Sequence, residues 1–415
     1  MTPSSSAVLG DLLKTHTYQD ALSIWATTTV AGDIHSHCSG TPCLSTEKYN
    51  LYVGKIAAEP LTPPKQRYCL TEPFCSPSIH WSICPPLQRD LFMRPVEFFA
   101  KFPDITLQLV KYQGTDVFGV VYDQAKSMIV HQTAMSSLLQ VVPHVMYLDK
   151  FSRFGLFEYP KQLPVIKAPA LYIGGRNNYF HFVTDFLPNL VALRMLPDLL
   201  QMPMVFWSVS RYIAEFLDIL GFGTKNTIVL DDLYKEGPGF YKFSDITMAS
   251  PVPLPVGLAM VRDTFRNPNA KSPARIYIGR KQGQSVRSIR MINQNEVSRV
   301  LELLGFQTVF LENISVLEQI NLFSNAKLII SQHGAGLTNC VFAPPKAVIV
   351  ELMSDSTESI SSATDCYFKM TACLGQYYHR IVSYAVEKPP TQSPQDHPFH
   401  CNIDSLLRVI EPYLS

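Results

Sequence analysis

The stretch KLIISQHGAGLTNCVFAPPKAVIVEL, residues 327–352, decides the fold of this chain. Its apolar runs, 328–330 and 347–352, predict two buried strands. Between them, Gly334 and Gly336 predict a tight turn that leads into a turn of helix. Glycines at such a turn let the backbone pass close to a ligand, and the free amides of the helix's first turn then face an anion such as a phosphate. The alternative interpretation is a turn that only packs one layer on another.

Polar residues cluster around this turn. They are Ser331, Gln332, His333, Thr338 and Asn339, with Glu351 near the end of the following strand. Ligands of open parallel sheets bind outside the carboxyl ends of the strands, which is where these side chains should lie. The stretch therefore predicts a binding site at one edge of a parallel sheet.

Strand and helix patterns alternate from about residue 168, which predicts an α/β fold of two Rossmann-like doubly wound halves facing a cleft. We place an amino-terminal extension, helical and then irregular, at 1–105, the first half at 106–260, the second half at 261–395, and a terminal helix that returns to the first half at 396–415. Within 106–142 the apolar runs on either side of Gly114 predict strands or a hairpin.

Local signals fix several helices. A helix is predicted over 179–200, with a kink at Pro188. Ser315 with Glu318 forms a capping box, and Asn293 with Glu296 resembles one, so the simplest role of Asn293 is a helix cap.

Composition excludes several classes of protein. The chain has 415 residues, 47% hydrophobic and 17% charged, with a net charge of +1, which provides no basic surface for nucleic acid. No apolar window is long enough to span a bilayer and the start does not have the pattern of a signal peptide, so we expect a cytoplasmic protein. Of nine cysteines, five lie within 38–84, where zinc and disulfides are alternatives to plain reduced thiols, the state we expect.

Three segments resemble the signature of the family 61 glycosyltransferases: QHGAGLTN at 332–339, RNNYFH at 176–181 followed by Asp185, and YIGR at 277–280 followed by Arg287, Arg290 and Asn293. The resemblance covers about 168–352. It implies the two-domain GT-B architecture and the transfer of a sugar from a nucleotide-sugar donor. The family includes transferases of N-acetylglucosamine, xylose and arabinose.

The resemblance places the donor in the second half. Arginines suit phosphate oxygens, so Arg280, Arg287 and Arg290 are candidate diphosphate contacts, although a solvated basic loop is the alternative. The diphosphate cradle would then be formed by His333, Gly334, Ala335, Gly336, Thr338 and Asn339. Glu351 would accept from the ribose hydroxyls, unless it is simply a surface acid. The sequence has no Asp-x-Asp motif, so no metal ion is expected as a cofactor.

The first half would supply the catalytic group. His181 and Asp185 lie one helical turn apart and share a face, so Asp185 can fix the tautomer of the imidazole. His181, or Asp185 through it, is the candidate general base, and Arg176 a cation at the reacting edge. A packed core histidine is the alternative for His181.

These residues predict an inverting, metal-independent transferase that moves a sugar from a UDP-sugar to a hydroxyl of a saccharide or protein acceptor. A binding module for nucleotide sugars or glycans, without turnover, is the second hypothesis. A dinucleotide oxidoreductase is the third and fits least, because Gly334 and Gly336 are not followed by the third glycine of that fingerprint.

Overall fold

The structure of this chain is a computed structural model that describes residues 163–414, apart from short gaps at 176, 237–238, 250–253, 282–289, 359–365 and 389–393. Before residue 163 it describes the backbone of six strands and the side chains of 104–107. Arg176, Arg287, the helical start expected of the amino-terminal extension and the side chains of the five early cysteines therefore lie outside the described residues.

Sixteen strands lie in the described residues: β1 (Tyr49–Ala57), β2 (Gln66–Cys69), β3 (Glu97–Tyr112), β4 (Asp116–Tyr122), β5 (Met128–Ile129), β6 (Phe154–Pro160), β7 (Val165–Ile166), β8 (Ala170–Gly174), β9 (Met204–Phe206), β10 (Thr227–Val229), β11 (Phe240–Ala249), β12 (Arg275–Ile278), β13 (Gln307–Val309), β14 (Leu328–Gln332), β15 (Val348–Ser354) and β16 (Tyr377–Ser383).

Among the same residues the α-helices are α1 (Tyr179–His181), α2 (Leu187–Leu193), α3 (Arg211–Ile219), α4 (Leu230–Glu236), α5 (Leu254–Phe265), α6 (Gln294–Leu303), α7 (Val316–Phe323), α8 (Asp355–Glu358), α9 (Cys366–Cys373) and α10 (Ile403–Ile410). Short 3₁₀ turns occur at Pro197–Gln201, Leu311–Asn313, Ala335–Phe342, Pro394–Asp396 and Glu411–Tyr413. In the described part of the chain, no helix combines the length and the apolar character needed to cross a bilayer.

The strands form two sheets. In the first, strands β10-β9-β8-β11 are parallel, and β11 then pairs antiparallel with β3, which continues to β4, β5, β1 and β6. The predicted hairpin is confirmed, because β3 and β4 pair antiparallel from Tyr112 opposite Asp116. The first sheet is thus mixed rather than parallel throughout. The expectation of an irregular segment before β3 is wrong where β1 and β2 lie, because backbone ladders form there in spite of the proline-rich composition.

The second sheet is parallel, in the order β13-β12-β14-β15-β16. Every residue of β14 and β15 is buried, as expected of parallel strands covered on both faces. Alternate residues point to opposite faces: Ile329 and Ile349 to one, Ile330 and Val350 to the other. On the same alternation, Glu351 shares the face of Ile349.

Each face of the second sheet has its own core. The face of Ile330 packs against α6 and α10 through residues such as Leu301, Leu406 and Ile410. The terminal helix therefore packs on the second sheet, and the expectation that it returns to the first half is wrong: its apolar stripe finds a partner beside its own half. The face of Ile349 packs against α7, α9 and the 3₁₀ turn after β14.

The core on that second face continues into the first half without interruption. Three aromatic rings show the connection: Phe216 of α3 lies 5.3 Å from Phe265 of α5, which lies 6.3 Å from Phe342 after β14. Because one apolar core serves both sheets, the halves are joined below the cleft that the sequence predicts.

The predicted helix over 179–200 is broken. After α1 the chain forms a π-helical turn, Phe182–Phe186, and α2 begins with Pro188 in its first turn. Pro188 has no N–H to donate to the carbonyl of Thr184, so the regular helical ladder cannot pass this point. Pro188 instead packs against Gly257 of α5, where an added Cβ would lie 2.8 Å from the proline Cγ.

Two predicted caps have different outcomes. The capping box of Ser315 and Glu318 is confirmed at the start of α7. Asn293 stands before α6 but makes no side-chain cap bond. Its amide group instead donates to the Cys401 carbonyl at 3.0 Å and accepts from the Cys401 N–H at 2.9 Å. The cap predicted for Asn293 is therefore wrong, and the residue ties the carboxyl-terminal segment to the second half.

Candidate functional site

The strand order of the second sheet creates a crevice at one edge. In chain order the strands run 2-1-3-4-5, so the connections leave β12 and β14 in opposite directions. A crevice opens at the carboxyl ends of two such strands, and ligands of this class of sheet bind there. Gly279 and Arg280 follow β12, and His333 and Gly334 follow β14. The predicted glycine turn therefore lies at the switch point of the sheet.

The turn requires glycine at its first position. Gly334 has φ 150° and ψ 174°, a conformation that is essentially confined to glycine. An added Cβ would also lie 2.0 Å from Nη2 of Arg280. At Gly336 the added atom would lie 3.3 Å from Ile278 and from Leu311, a tight packing contact. Gly334 thus lets a guanidinium approach the backbone, while Gly336 brings the turn against β12.

Two predicted arginines meet at this turn. Nη2 of Arg280 donates to the carbonyl of His333 at 3.2 Å, and Nη1 of Arg290 donates to the same oxygen at 3.0 Å. Arg290 also forms an ion pair with Asp396, with N–O distances of 2.6 and 3.0 Å. Two partly buried cations therefore share one acceptor.

Arg280 is partly shielded from solvent and lies beside a second cation. Burial, followed by repulsion from Arg290, lowers the pKa of its guanidinium to about 10. Arg280 still carries its charge at neutral pH. An anion bound between Arg280 and Arg290 would relieve their repulsion, so the site is suited to a ligand with several negative oxygens.

Gln294, at the start of α6, holds this arrangement in place. Its side-chain oxygen accepts from the Arg280 N–H at 2.8 Å and from Nε2 of Gln332 at 2.8 Å, while its own Nε2 donates to the Arg280 carbonyl at 2.7 Å. The sequence did not predict a role for Gln294 or Asp396. The only signal for Gln294 was its position at a predicted helix start, and Asp396 gave no signal.

Glu351 lies inside the protein. It is fully buried, its Oε1 lies 2.6 Å from Nδ1 of His333, and its Oε2 accepts from the hydroxyl of Tyr378. Both oxygens are thus engaged by protein groups. The predicted contact of Glu351 with a ribose is therefore wrong, because alternation along β15 turns this side chain into the core and not to the crevice.

Thr338 and Asn339 are buried beneath the turn. Thr338 lies beside the hydroxyl of Tyr367 and does not face the cavity described below, so its expected place in the cradle is wrong. The Asn339 oxygen accepts from the Tyr179 hydroxyl at 2.9 Å, and its nitrogen donates to Gln319 at 3.0 Å. Asn339 thus connects α1 of the first half to α7 of the second.

The predicted pair of His181 and Asp185 is confirmed. Nδ1 of His181 lies 3.0 Å from Oδ2 of Asp185, and the two side chains are 19% and 40% exposed. The hydroxyl of Thr184 donates to the other carboxylate oxygen at 2.7 Å. The carboxylate is therefore oriented from two sides, and Nε2 of His181 is the ring nitrogen that does not contact it.

Aromatic rings connect this pair to the glycine turn. Phe180 lies 5.4 Å from the His181 ring and 5.4 Å from the Tyr367 ring, which lies 5.6 Å from the His333 ring. The hydroxyl of Tyr367 donates to the Gly334 carbonyl at 2.7 Å. The two histidines therefore stand on either side of one aromatic pair, close to the same turn.

A cavity of about 440 Å³ opens beside the turn, between the two halves. Five predicted site residues contribute to its wall: Arg280, Gly334, Ala335, Gly336 and Asn339. The first half contributes Tyr179, Arg211, Tyr212 and Glu215. The other predicted site residues that the structure describes are His181, Asp185, Arg290, His333, Thr338 and Glu351, which do not line this cavity.

The cavity wall contains two acids besides its arginines. Glu215, paired with Arg211 at 2.7 Å, also accepts from the N–H of Val316 at the start of α7. Glu312, in the turn after β13, is the second acid of the wall. Such carboxylates suit the hydroxyl groups of a sugar or ribose.

The side chains that could bind a metal ion include those of the cysteines. The part of the chain that the structure describes contains no group of three or more His, Cys, Asp or Glu side chains placed to hold a metal ion. Its described cysteines, Cys340, Cys366, Cys373 and Cys401, are free thiols. Burial raises the pKa of Cys366 to about 12, which makes it an unreactive thiol.

Comparison with known proteins finds similarity to glycosyltransferases over part of the chain. The family model Glycosyltransferase 61 matches residues 179–350, from α1 to β15. A 116-residue segment is 28% identical to the EGF domain-specific O-linked N-acetylglucosamine transferase of Rattus norvegicus. A 115-residue segment is 30% identical to the alpha-1,3-arabinosyltransferase XAT3 of Oryza sativa subsp. japonica. Each match covers 27% of this chain and only 20% of the relative.

Among solved structures, the bacterial iron-containing dodecameric glycosyltransferase TibC from enterotoxigenic E. coli H10407 is similar over 61% of this chain and 75% of its own. The sequence identity is 10% and the TM-score 0.25, a similarity too low to support an inference about this chain.

Proposed function

We propose that this chain is an inverting glycosyltransferase of family 61, whose family model matches residues 179–350. It takes a sugar from a nucleotide-diphosphate donor, of which a UDP-sugar is the expected kind, and transfers it without a metal ion to the hydroxyl of a saccharide or protein acceptor. In the GT-B arrangement that we propose, residues 261–395 hold the donor and residues 106–260 face the acceptor.

The observation that carries this proposal is the meeting of Arg280 and Arg290 on the carbonyl of His333, at the crevice between β12 and β14. Diphosphate oxygens placed there would receive two guanidinium groups and the backbone amides after Gly334. The same charges stabilise the diphosphate as it leaves, which is the work that a metal ion does in other transferases.

The cavity wall suggests where the rest of the donor lies. From Arg280, the cavity extends to Leu311 and Glu312 in the turn after β13 and to Tyr212 across the cleft. A nucleoside would lie against the turn after β13, with Glu312 as the acid for ribose hydroxyls in place of the buried Glu351. Tyr212 and Arg211, from the first half, would face the transferred sugar and the acceptor.

His181 is the proposed general base. Its Nδ1 is held by Asp185 at 3.0 Å, so Nε2 can take the proton of the acceptor hydroxyl. In a single displacement the acceptor oxygen then bonds to the anomeric carbon as the bond from that carbon to the phosphate oxygen breaks. The proton resides on His181 and the new negative charge on the diphosphate, which faces Arg280 and Arg290.

The second candidate is a module that binds a nucleotide sugar without turnover. It would use the same arginines and would not need an acceptor base. The pairing of His181 with Asp185, supported by Thr184 at 2.7 Å, favours the enzyme. The printed functions of the two relatives differ in the sugar moved, so the sugar and the acceptor of this chain are left open.

Binding of UDP tests the donor site. We expect UDP to raise the melting temperature of the wild-type protein, because a ligand that binds only the folded state stabilises it. A charge-assisted contact contributes roughly 1.5–3 kcal/mol, so Arg280→Ala and Arg290→Ala should each weaken UDP binding by about tenfold or more in calorimetry.

The matched control is Arg299→Ala, because Arg299 is an exposed arginine on α6 outside the cavity wall. It should bind UDP like the wild type. If all three variants bind UDP equally well, the arginines are a solvated basic surface and the donor site lies elsewhere.

A further inference from the structure

A buried acid on β15, next to the glycine turn, has a role that the proposed function does not explain. Glu351 is 0% exposed, on the face of the second sheet that carries the shared core. Burying a carboxylate is unfavourable unless hydrogen bonds and opposite charge offset the loss of solvation. The hydrogen-bond donors around Glu351 therefore indicate the role of its carboxylate.

Two donors hold Glu351, one on each oxygen. His333 lies on the side of the turn, with Nδ1 at 2.6 Å from Oε1. On the other side the Tyr378 hydroxyl donates to Oε2 and itself accepts from Nε of Arg380 at 3.1 Å. The Arg380 guanidinium also lies 5.7 Å from the centre of the Tyr378 ring. The carboxylate is thus fixed from the outer strand β16, and its remaining bond fixes the imidazole.

The backbone N–H and carbonyl of His333 also form hydrogen bonds. Its N–H donates to the Leu352 carbonyl at 2.8 Å, and its carbonyl accepts from Arg280 and Arg290. The ring edge packs against Tyr367 at 5.6 Å. Nε2, on the side of the ring away from Glu351, makes no hydrogen bond to a residue that the structure describes, and the side chain is 11% exposed.

We propose that Glu351 is a positioning residue, which orients the His333 imidazole so that Nε2 hydrogen-bonds a phosphate oxygen of the bound donor. This inference rests on the proposed function, because it takes the diphosphate to lie at Arg280 and Arg290. In its protonated form the imidazole keeps one N–H on Glu351 and donates the other to the phosphate. That bond strengthens as the leaving diphosphate gains charge.

Two substitutions of His333 separate the two ring nitrogens. A Gln side chain places its amide nitrogen near the position of Nε2, and an Asn side chain places it near that of Nδ1. His333→Gln should therefore keep the phosphate contact, and His333→Asn should keep only the contact with Glu351. We expect His333→Asn to bind UDP about tenfold more weakly than His333→Gln, with UMP affinity changed less than UDP affinity in both.

Glu351→Gln and Tyr378→Phe test the positioning role. Glu351→Gln should weaken UDP binding several-fold and lower kcat more than it raises KM, because the contact matters most when charge develops. Tyr378→Phe keeps the ring, removes one bond to the carboxylate and should show the same effects to a smaller degree. It serves as the second variant if Glu351→Gln does not fold.

The affinities for UDP, UMP and GDP are measured by calorimetry on the full chain. Melting curves give its stability, and steady-state kinetics give kcat and KM. Equal UDP affinities of His333→Asn, His333→Gln and wild type would overturn the inference while leaving the proposed function intact. So would equal losses in both His333 variants accompanied by a lower melting temperature, since that result indicates a purely structural histidine. A wild-type protein that binds neither UDP nor GDP would overturn the proposed function and this inference together.

Discussion

Replacing Gly334 by alanine is a small change with an expected effect on both stability and ligand binding. The residue has φ 150° and ψ 174°, a region that is almost confined to glycine. Its added Cβ would lie 2.0 Å from Nη2 of Arg280 and 3.2 Å from Cζ. The contact is with the end of a flexible side chain, so Arg280 must move from the His333 carbonyl.

Two magnitudes follow from this geometry. Backbone strain of this kind costs on the order of 1–3 kcal/mol, which corresponds to a lowering of the melting temperature by about 2–4 °C per kcal/mol in a domain of 150–250 residues. Loss of the Arg280 contact should cost the bound diphosphate roughly 1.5–3 kcal/mol, about tenfold or more in affinity. UDP should therefore stabilise Gly334→Ala less than it stabilises the wild type.

The control is Gly305→Ala. Gly305 ends α6 with φ +80°, and an added Cβ would lie 3.5 Å from Arg275, away from the cavity. This variant should lose stability through backbone strain and keep its UDP affinity. For both variants, thermal melting measures the stability and calorimetry measures the UDP affinity. The reasoning is refuted if Gly334→Ala binds UDP as tightly as Gly305→Ala does.

Two further predictions concern catalysis. His181→Ala should melt near the wild-type temperature and bind UDP normally but transfer sugar at least about 100-fold more slowly in single-turnover assays, because general-base catalysis contributes at least about 10². Asp185→Asn should show a smaller loss of transfer. Normal transfer by a stable His181→Ala protein would exclude this residue as the base. Transfer should persist in excess EDTA, since guanidinium groups and amides take the place of a metal, and a loss that manganese restores would contradict that account.

Local patterns predicted the part of the site that depends on the backbone. The two apolar runs of 327–352 became β14 and β15, and the glycines between them became the turn at the switch point. The i, i+4 spacing of His181 and Asp185 gave a contact even though the helix between them is a π turn. Such features depend on neighbours within a few residues, which the sequence displays directly.

Contacts between distant segments were not predictable. Arg290 meets Asp396 across 106 positions, and no pattern in either segment indicates the other. The apolar stripe of α10 was visible, but not the sheet against which it packs. Glu351 differs, because alternation with Ile349 along one strand already places its side chain on the face of the core, a signal that the sequence contained.

The single core shared by the two sheets has a consequence for how the protein unfolds. The rings of Phe216, Phe265 and Phe342 bridge the halves, so separating the sheets would expose apolar surface on both at once. Melting of this region should therefore be one cooperative transition rather than the successive loss of two domains. A ligand bound at the glycine turn would then protect backbone amides of β8 as well as those of β14 from hydrogen exchange.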